Sequence, residues 1–316
     1  MKRFRPNSIR LDRRHWWLGI SSALKWMKKP VSEEGATQVS RFMIGLQGQR
    51  FLTDIEQMRD HPVGRRLLKE KPDLPSVLTP EYLATMPLGS FGHAYYQLVC
   101  EEDTLPGYLL GGLIYRDGFF DSLDIDEDTA WYLERRMFDH DASHIISGYG
   151  TDFAGEVLNI MFIQGHTRST PRSRRFMTAP GLIAFSSRTT IGFMNWARYL
   201  TEAYDRGAAS ARHLPHSCIP YEELLPKPLG EVREYLGVEP LPVGWDTSGW
   251  CRKDPYAGMD PTEKESQAEM VALVDKMVKQ GMSWREYMRV DSDMRERVHG
   301  LIRQGAGVDE VAALLR

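Results

Sequence analysis

The stretch His140-Asp141-Ala142-Ser143-His144-Ile145-Ile146-Ser147-Gly148-Tyr149-Gly150-Thr151-Asp152-Phe153-Ala154-Gly155-Glu156 decides how this 316-residue chain folds. Two histidines at i and i+4 lie about 40° apart on a 3.6-residue helix, so both imidazoles can face one ion. Asp141, next to the first of them, can join the set or serve as a base. Gly148 predicts a left-handed helix end, and Asp152 predicts the cap of a second helix that carries Glu156 back toward the histidines. The expectation is an antiparallel helical hairpin with four candidate ligands of a divalent metal: His140, Asp141, His144 and Glu156.

Working outward, Ala130, Leu133 and Met137 precede His140 and His144 at helical spacing, so the ligands continue an apolar stripe and point inward. Beyond the turn, Phe153, Glu156, Val157, Ile160 and Gln164 share a face. A single histidine on an apolar face is more often a hydrogen-bonded core residue than a ligand. Here the pair and the positioned Glu156 favour the metal.

Composition bounds the remainder. With 42% hydrophobic and 10% aromatic residues, the chain can bury one large core or two smaller ones. Cys100, Cys218 and Cys251 are odd in number and show no CxxC spacing, which suggests neither a disulfide framework nor a zinc ribbon and fits a reducing compartment. No apolar run reaches the length of a membrane span, and no signal-peptide core is evident at the N-terminus. Residues 1–29 hold nine Lys and Arg against Asp12 alone, in a chain of net charge −3. Trp16, Trp17, Ile20, Ala23, Leu24 and Met27 fall there at helical spacing. That pattern suits either an anionic membrane surface or a helix docked on the domain behind a basic arm. A nucleic-acid partner is not expected, because the rest of the chain is acidic and shows no reading motif.

Periodicity and Pro/Gly punctuation predict helices at about 16–29, 36–48, 51–60, 79–85, 91–102, 127–147, 153–165, 181–206 and 229–236. The Gly-rich apolar stretch 105–115 is left open. Residues 239–262 read as a linker, and Thr262 with Glu265 forms a capping-box pair that opens a further helical pattern. The expected architecture is all-α: a basic N-terminal arm at 1–21, a helical metal-binding domain at 22–240, and a linker with a small helical extension at 241–316.

The HDxxH-x11-E stretch resembles the signature of the Coq-four family of ubiquinone (coenzyme Q) biosynthesis proteins. Two other segments agree. Pro87-Leu88-Gly89-Ser90-Phe91-Gly92-His93-Ala94-Tyr95 resembles the family's Pro-x-Gly-Ser-Leu-Gly-x-x-Tyr element, with Phe91 in place of Leu. Tyr221-Glu222-Glu223 and Pro228-Leu229-Gly230-Glu231-Val232-Arg233 resemble its C-terminal segments. The likeness covers about residues 22–240, and the tail beyond has no counterpart.

The resemblance implies an all-helical fold and a divalent ion, commonly zinc, at His140, Asp141, His144 and Glu156. It implies peripheral attachment to the membrane where ubiquinone is made: the cytoplasmic face of a bacterial inner membrane, or the matrix face of the mitochondrial one. The implied activity is removal of the ring-carbon-1 carboxylate from a polyprenylated hydroxybenzoate, by a carbon–carbon lyase in which Asp141 is the candidate catalytic base. Other ubiquinone biosynthesis proteins are expected partners, and a homodimer is among the assemblies allowed. Zinc cannot change oxidation state, so an oxidative version needs dioxygen, a redox-capable metal or a partner flavoprotein. Two alternatives stand beside the lyase. One is a non-catalytic scaffold or lipid-binding organiser of the biosynthetic complex. The other is an HD-type hydrolase, which needs a further His and a distant Asp, with His93 and Asp205 as nominal candidates.

Overall fold

A computed structural model describes residues 9–28, 33–78, 80–98, 119, 122–167 and 189–252, together with 297, 301 and 304. The predicted stretch 105–115, most of the extension after 252 and the first part of the predicted helix 181–206 lie outside them.

Every regular element among the described residues is helical, and the β-structure is confined to isolated bridges such as Ser90 to Pro228. In chain order the helices are α1 (Trp16–Lys28), α2 (Glu33–Asp60), α3 (Pro62–Glu70), α4 (Leu74–Val77), α5 (Pro80–Ala84), α6 (Phe91–Tyr96), α7 (Glu127–Ser147), α8 (Phe153–His166), α9 (Phe193–Ser210), α10 (Tyr221–Leu224) and α11 (Leu229–Leu236). A 3₁₀ turn, His216–Cys218, precedes α10.

The centre of the molecule is α8. Leu158, Met161, Phe162 and Ile163 are buried, and so are the polar Asn159, Gln164 and His166. Its main partner is α9, which crosses it with backbone against backbone. A Cβ on Gly165 would meet the Tyr204 carbonyl oxygen at 2.0 Å, and one on Gly207 would meet that of Phe162 at 2.0 Å. Neither residue can carry a side chain there without forcing the helices apart.

That crossing explains one difference from the sequence reading. The helix predicted at 181–206 was expected to stop before Gly207; instead it passes through Gly207 to Ser210, and it begins only at Phe193 after irregular chain at 189–192. Elsewhere, 36–48 and 51–60 form the single element α2, kinked at Gln47 (φ −125°, ψ 16°). The sequence reading had no helix between 60 and 79, where α3 and α4 lie. Pro62 opens α3 and left-handed Lys71 closes it, and it buries only the narrow stripe Gly64, Leu67 and Leu68.

Buried polar ties fix the layers. Tyr132 on α7 donates to Asp54 on α2 at 2.8 Å, in a site where desolvation raises the Asp54 pKa against the opposing charges of Arg50 and Arg136. Arg50 in turn donates to Gln164 on α8. Such groups remain inside only because they satisfy one another. The α1 helix packs across α2 at Gly19 and Gly45 and leaves Trp16, Trp17, Ile20 and Leu24 facing outward.

Candidate metal centre

Helix α7 runs from an Asp126 cap, which accepts from the Thr129 amide at 2.8 Å, to Gly148 in the left-handed region at φ 80°. Its bounds coincide with the predicted 127–147. The next helix begins at the predicted Asp152, whose Oδ1 accepts from the amides of Ala154 (3.0 Å) and Gly155 (3.3 Å). Two short-range signals, an αL glycine and an Asx cap, thus fold the chain back and bring Glu156 to the two histidines.

The gathering is close. Glu156 Oε2 lies 3.3 Å from His140 Nε2, and its Oε1 lies 3.3 Å from His144 Nε2. One ligating atom from each of the three residues falls within 4.8 Å of the others. His144 is buried and half-buried Glu156 is 18% exposed, whereas 30% of the His140 side chain meets solvent, so the cluster opens on the His140 side.

Each imidazole is turned by its second nitrogen. His144 Nδ1 donates to the Tyr149 carbonyl at 3.0 Å, which leaves Nε2 toward Glu156; that Nε2 is buried and makes no well-formed hydrogen bond. A buried ring nitrogen set 3.3 Å from a carboxylate oxygen without good hydrogen-bond geometry is placed to share an ion with it. His140 Nδ1 lies 3.3 Å from Asp141 Oδ1, and the phenol of Tyr95 donates to Asp141 Oδ2 at 3.3 Å. Nitrogen-directing partners of these two types, a carbonyl and a carboxylate, are characteristic of histidines bound to zinc. The donor set of two imidazoles and one carboxylate suits zinc with a position left open.

Asp141 therefore sits behind His140, outside the three-residue cluster. His93 and Asp205 are not in it either: His93 stacks on Tyr96, and Asp205 is on the exposed side of α9.

Without an ion the three groups hold one another electrostatically. Burial opposes charge at His140, but the carboxylate of Glu156 and the hydrogen bonds the ring donates to Asp141 and Glu156 outweigh it and raise its pKa to about 10. Burial likewise opposes charge at Glu156, and the two imidazoles overcome it, holding the carboxyl well below its usual range.

The other two sequence elements converge on the same helix. Ser90 caps α6, accepting from the His93 amide at 3.1 Å, and α6 delivers Tyr95 to Asp141; Phe91, in the Leu position, is fully buried and faces Tyr221 at 6.4 Å between ring centres. Glu222 takes both terminal nitrogens of Arg135, a buried guanidinium that also lies over Trp131 and Tyr221. Arg233 donates to the carbonyls of Ile145 (2.7 Å) and Ile146 (3.0 Å), and Arg206 to that of Ser147 (2.9 Å), so two cations cover the negative end of α7. Asn159 donates to the His140 carbonyl at 3.3 Å and accepts from Ser147 at 3.2 Å, pinning α8 to α7. Tyr95, Tyr149 and Asn159 had not been singled out as site residues; for Tyr95 the signal was its place at the end of the Pro87–Tyr95 element.

Comparison with known proteins gives three findings. The family model described as coenzyme Q (ubiquinone) biosynthesis protein Coq4 matches residues 12–242. A mitochondrial ubiquinone biosynthesis protein COQ4 from Arthroderma otae is 27% identical over 188 residues, 59% of this chain and 64% of that protein; the one from Paracoccidioides lutzii is 28% identical over 210 residues, 66% and 68% respectively. The chain thus spans about two thirds of the length of these relatives. A crystal structure of a candidate ubiquinone biosynthesis protein from Nostoc punctiforme PCC 73102 superposes with a TM-score of 0.53 at 16% identity, over 72% of this chain and all of that one, and so shares the fold.

Proposed function

This chain belongs to the coenzyme Q (ubiquinone) biosynthesis family Coq4, and on that premise we propose that it removes the carboxylate from ring carbon 1 of a polyprenylated hydroxybenzoate at a divalent metal held by His140, His144 and Glu156. The observation that supports the metal is the buried Nε2 of His144, 3.3 Å from Glu156 Oε1 without a well-formed hydrogen bond, while its Nδ1 is committed to the Tyr149 carbonyl. A bound divalent cation, zinc or a redox-capable metal, supplies positive charge for the aryl carboxylate and the neighbouring phenolic oxygen.

The geometry supports the following roles for the chain's own residues. His144 and Glu156 form the buried side of the site, and His140 forms the side open to substrate. Asp141, with one oxygen on His140 and the other receiving the Tyr95 hydroxyl, is a positioning residue for the His140 ring and the candidate base of the reaction. Val157 and Ile160, half-buried on the face of α8 that bears Glu156, offer apolar surface to the prenylated ring. When the carbon–carbon bond breaks, carbon dioxide leaves and a proton takes its place on the ring. In the oxidative version a hydroxyl takes it, with dioxygen or a partner flavoprotein as the source of oxidising equivalents.

Membrane attachment is peripheral in this reading. No helix among the described residues is long and apolar enough to cross a bilayer. The exposed stripe of α1 has Trp17 at 81% exposure beside Trp16, Ile20 and Leu24, flanked by Arg13, Arg14 and Lys25, and fits the headgroup layer of an anionic surface. The fungal relatives are named mitochondrial, which accords with the membrane where ubiquinone is made.

The test uses purified protein and a short-tailed prenyl hydroxybenzoate labelled in the ring carboxylate. Metal-dependent release of labelled carbon dioxide, lost in His140→Ala, is expected. With the site shown to be filled by zinc, iron, manganese or cobalt in turn, no release under air would favour a non-catalytic organiser that binds the lipid for other ubiquinone biosynthesis proteins.

A further inference from the structure

The family match ends at residue 242, yet within the ten residues that follow Trp245 and Thr247 reach back to the turn between α7 and α8. Thr247, 2% exposed, donates through Oγ1 to Asp152 Oδ2, while the other oxygen of Asp152 caps the first amides of α8. Trp245 stands edge-on to Tyr149 at 6.4 Å and to Tyr199 at 5.2 Å, and Trp250 closes on Tyr199 at 4.6 Å. The segment is tied down at its far end, where the Thr190 amide donates to the Trp250 carbonyl at 2.8 Å and the Thr190 hydroxyl to that of Gly249 at 2.9 Å.

Both inner contacts fall one step behind a metal ligand. Asp152 sets the start of α8, and Glu156 follows one turn later. Tyr149 supplies the carbonyl that receives His144 Nδ1, and it sits between Gly148 and Gly150, residues that restrict backbone direction least. The direction of that carbonyl is set by the Tyr149 amide, which donates to Ser147 Oγ at 3.3 Å, and by where the Tyr149 ring is anchored. The anchors are the Arg206 guanidinium, 5.0 Å from the ring centre, and Trp245.

We propose that residues 243–252 form a clasp, outside the family-matched part of the chain, in which Thr247 and Trp245 are positioning residues that hold Glu156 and His144 in ligating register. The proposal rests on the metal reading given above. Groups that hydrogen-bond a ligand directly typically change metal affinity 10- to 100-fold when lost; Thr247 and Trp245 stand one step further back, so the lower end of that range is expected, with two of the three ligands affected.

The experiment titrates the full-length, metal-free protein with cobalt(II), reading the visible absorption of the bound ion, and then measures zinc affinity by competition. Wild type is expected to bind one equivalent, and His144→Ala none. Trp245→Ala and Thr247→Val are each expected to weaken zinc about tenfold and to alter the cobalt spectrum. Trp245→Phe and Thr247→Ser, which keep the ring contact and the hydroxyl, are expected to restore both. Urea unfolding of each metal-free variant separates affinity from stability, and Thr247→Val carries the test if Trp245→Ala does not fold. Wild-type affinity and spectrum in a folded Thr247→Val would overturn the clasp and leave the metal site standing. Cobalt binding that His144→Ala and Glu156→Ala leave unchanged would overturn both.

Discussion

Metal binding at this site should expel a proton, and the size of the effect follows from the pKa of His140. In the metal-free protein Glu156 and Asp141 hold His140 protonated up to about pH 10. A metal needs the lone pair of that ring, so at pH 7 ligation displaces about one proton. Apparent affinity should then rise about tenfold per pH unit from pH 7 toward 9, where the proton is still bound before the metal arrives. Glu156 adds nothing to this slope, because its carboxyl already ionises well below the usual range. Zinc titration calorimetry in buffers of different ionisation enthalpy gives the proton count directly. A count near zero, or an affinity flat between pH 7 and 9, would refute the ion-pair description of the three side chains. The metal-free fold carries the same linkage with its own sign. His140 is raised above its ordinary value of 6.5, so its contribution to stability is full below about pH 6.5 and is lost as pH climbs through about 10. Glu156 is depressed below 4.5, so its contribution is present above that value and fades as pH falls through its folded pKa. Metal-free protein should therefore melt highest between about pH 4.5 and 6.5 as far as this pair is concerned, whereas the zinc form should hold its stability at alkaline pH.

Tyr95→Phe removes the hydroxyl held by buried Asp141 and should weaken zinc about tenfold, measured by chelator competition, with little change in the helical circular-dichroism signal; unchanged affinity would remove Tyr95 from the site. Glu222→Ala leaves the Arg135 guanidinium buried without its carboxylate and should cost about 3–5 kcal/mol in urea unfolding. A loss under 1 kcal/mol would show that solvent reaches Arg135. Gly207→Ala places a methyl 2.0 Å from the Phe162 carbonyl oxygen and should destabilise the fold by more than the ~1 kcal/mol an ordinary helical glycine would gain from alanine, with the opposite sign. Replacing Trp16 and Trp17 together by serine should lower binding to anionic vesicles on the order of tenfold and leave the melting temperature nearly unchanged, since both side chains already face outward. Vesicle binding that survives the pair would move the attachment away from α1.

What was legible in the sequence was legible because it is local. The i, i+4 histidines, the αL Gly148 and the Asx cap at Asp152 act over a single turn, so their spacing alone predicts the two helices that flank the turn, each placed within a residue of its ends. The groups that brace this segment from outside come from distant parts of the chain. Tyr95 reaches Asp141 across 46 residues and Arg233 reaches Ile146 across 87, and no periodicity links such positions. Gly207 misled for a related reason. Glycine after a helical run usually marks a stop, and the feature that overrides it here, the Phe162 carbonyl at the crossing of α8 and α9, is visible only once both helices are packed.

The quoted family elements have a common physical purpose. Ser90 to Tyr95 places a phenol on Asp141, Glu222 neutralises Arg135 on the face of α7 turned toward α10, and Arg233 covers the carbonyls at the end of α7. All three act on one helix, the one that bears His140 and His144. A helix with this many charged and polar groups inside, among them Arg135, Asp139, Asp141 and His144, gains little from hydrophobic burial at those positions and depends on having each group matched. Segments that are far apart in the chain and short in themselves can therefore identify the family as a set, because each answers a separate unsatisfied group on α7. By the same reasoning the ligands alone are a weaker signature than the ligands with their partners. His144 without the Tyr149 carbonyl, or His140 without Asp141, would be free to turn the wrong nitrogen toward Glu156.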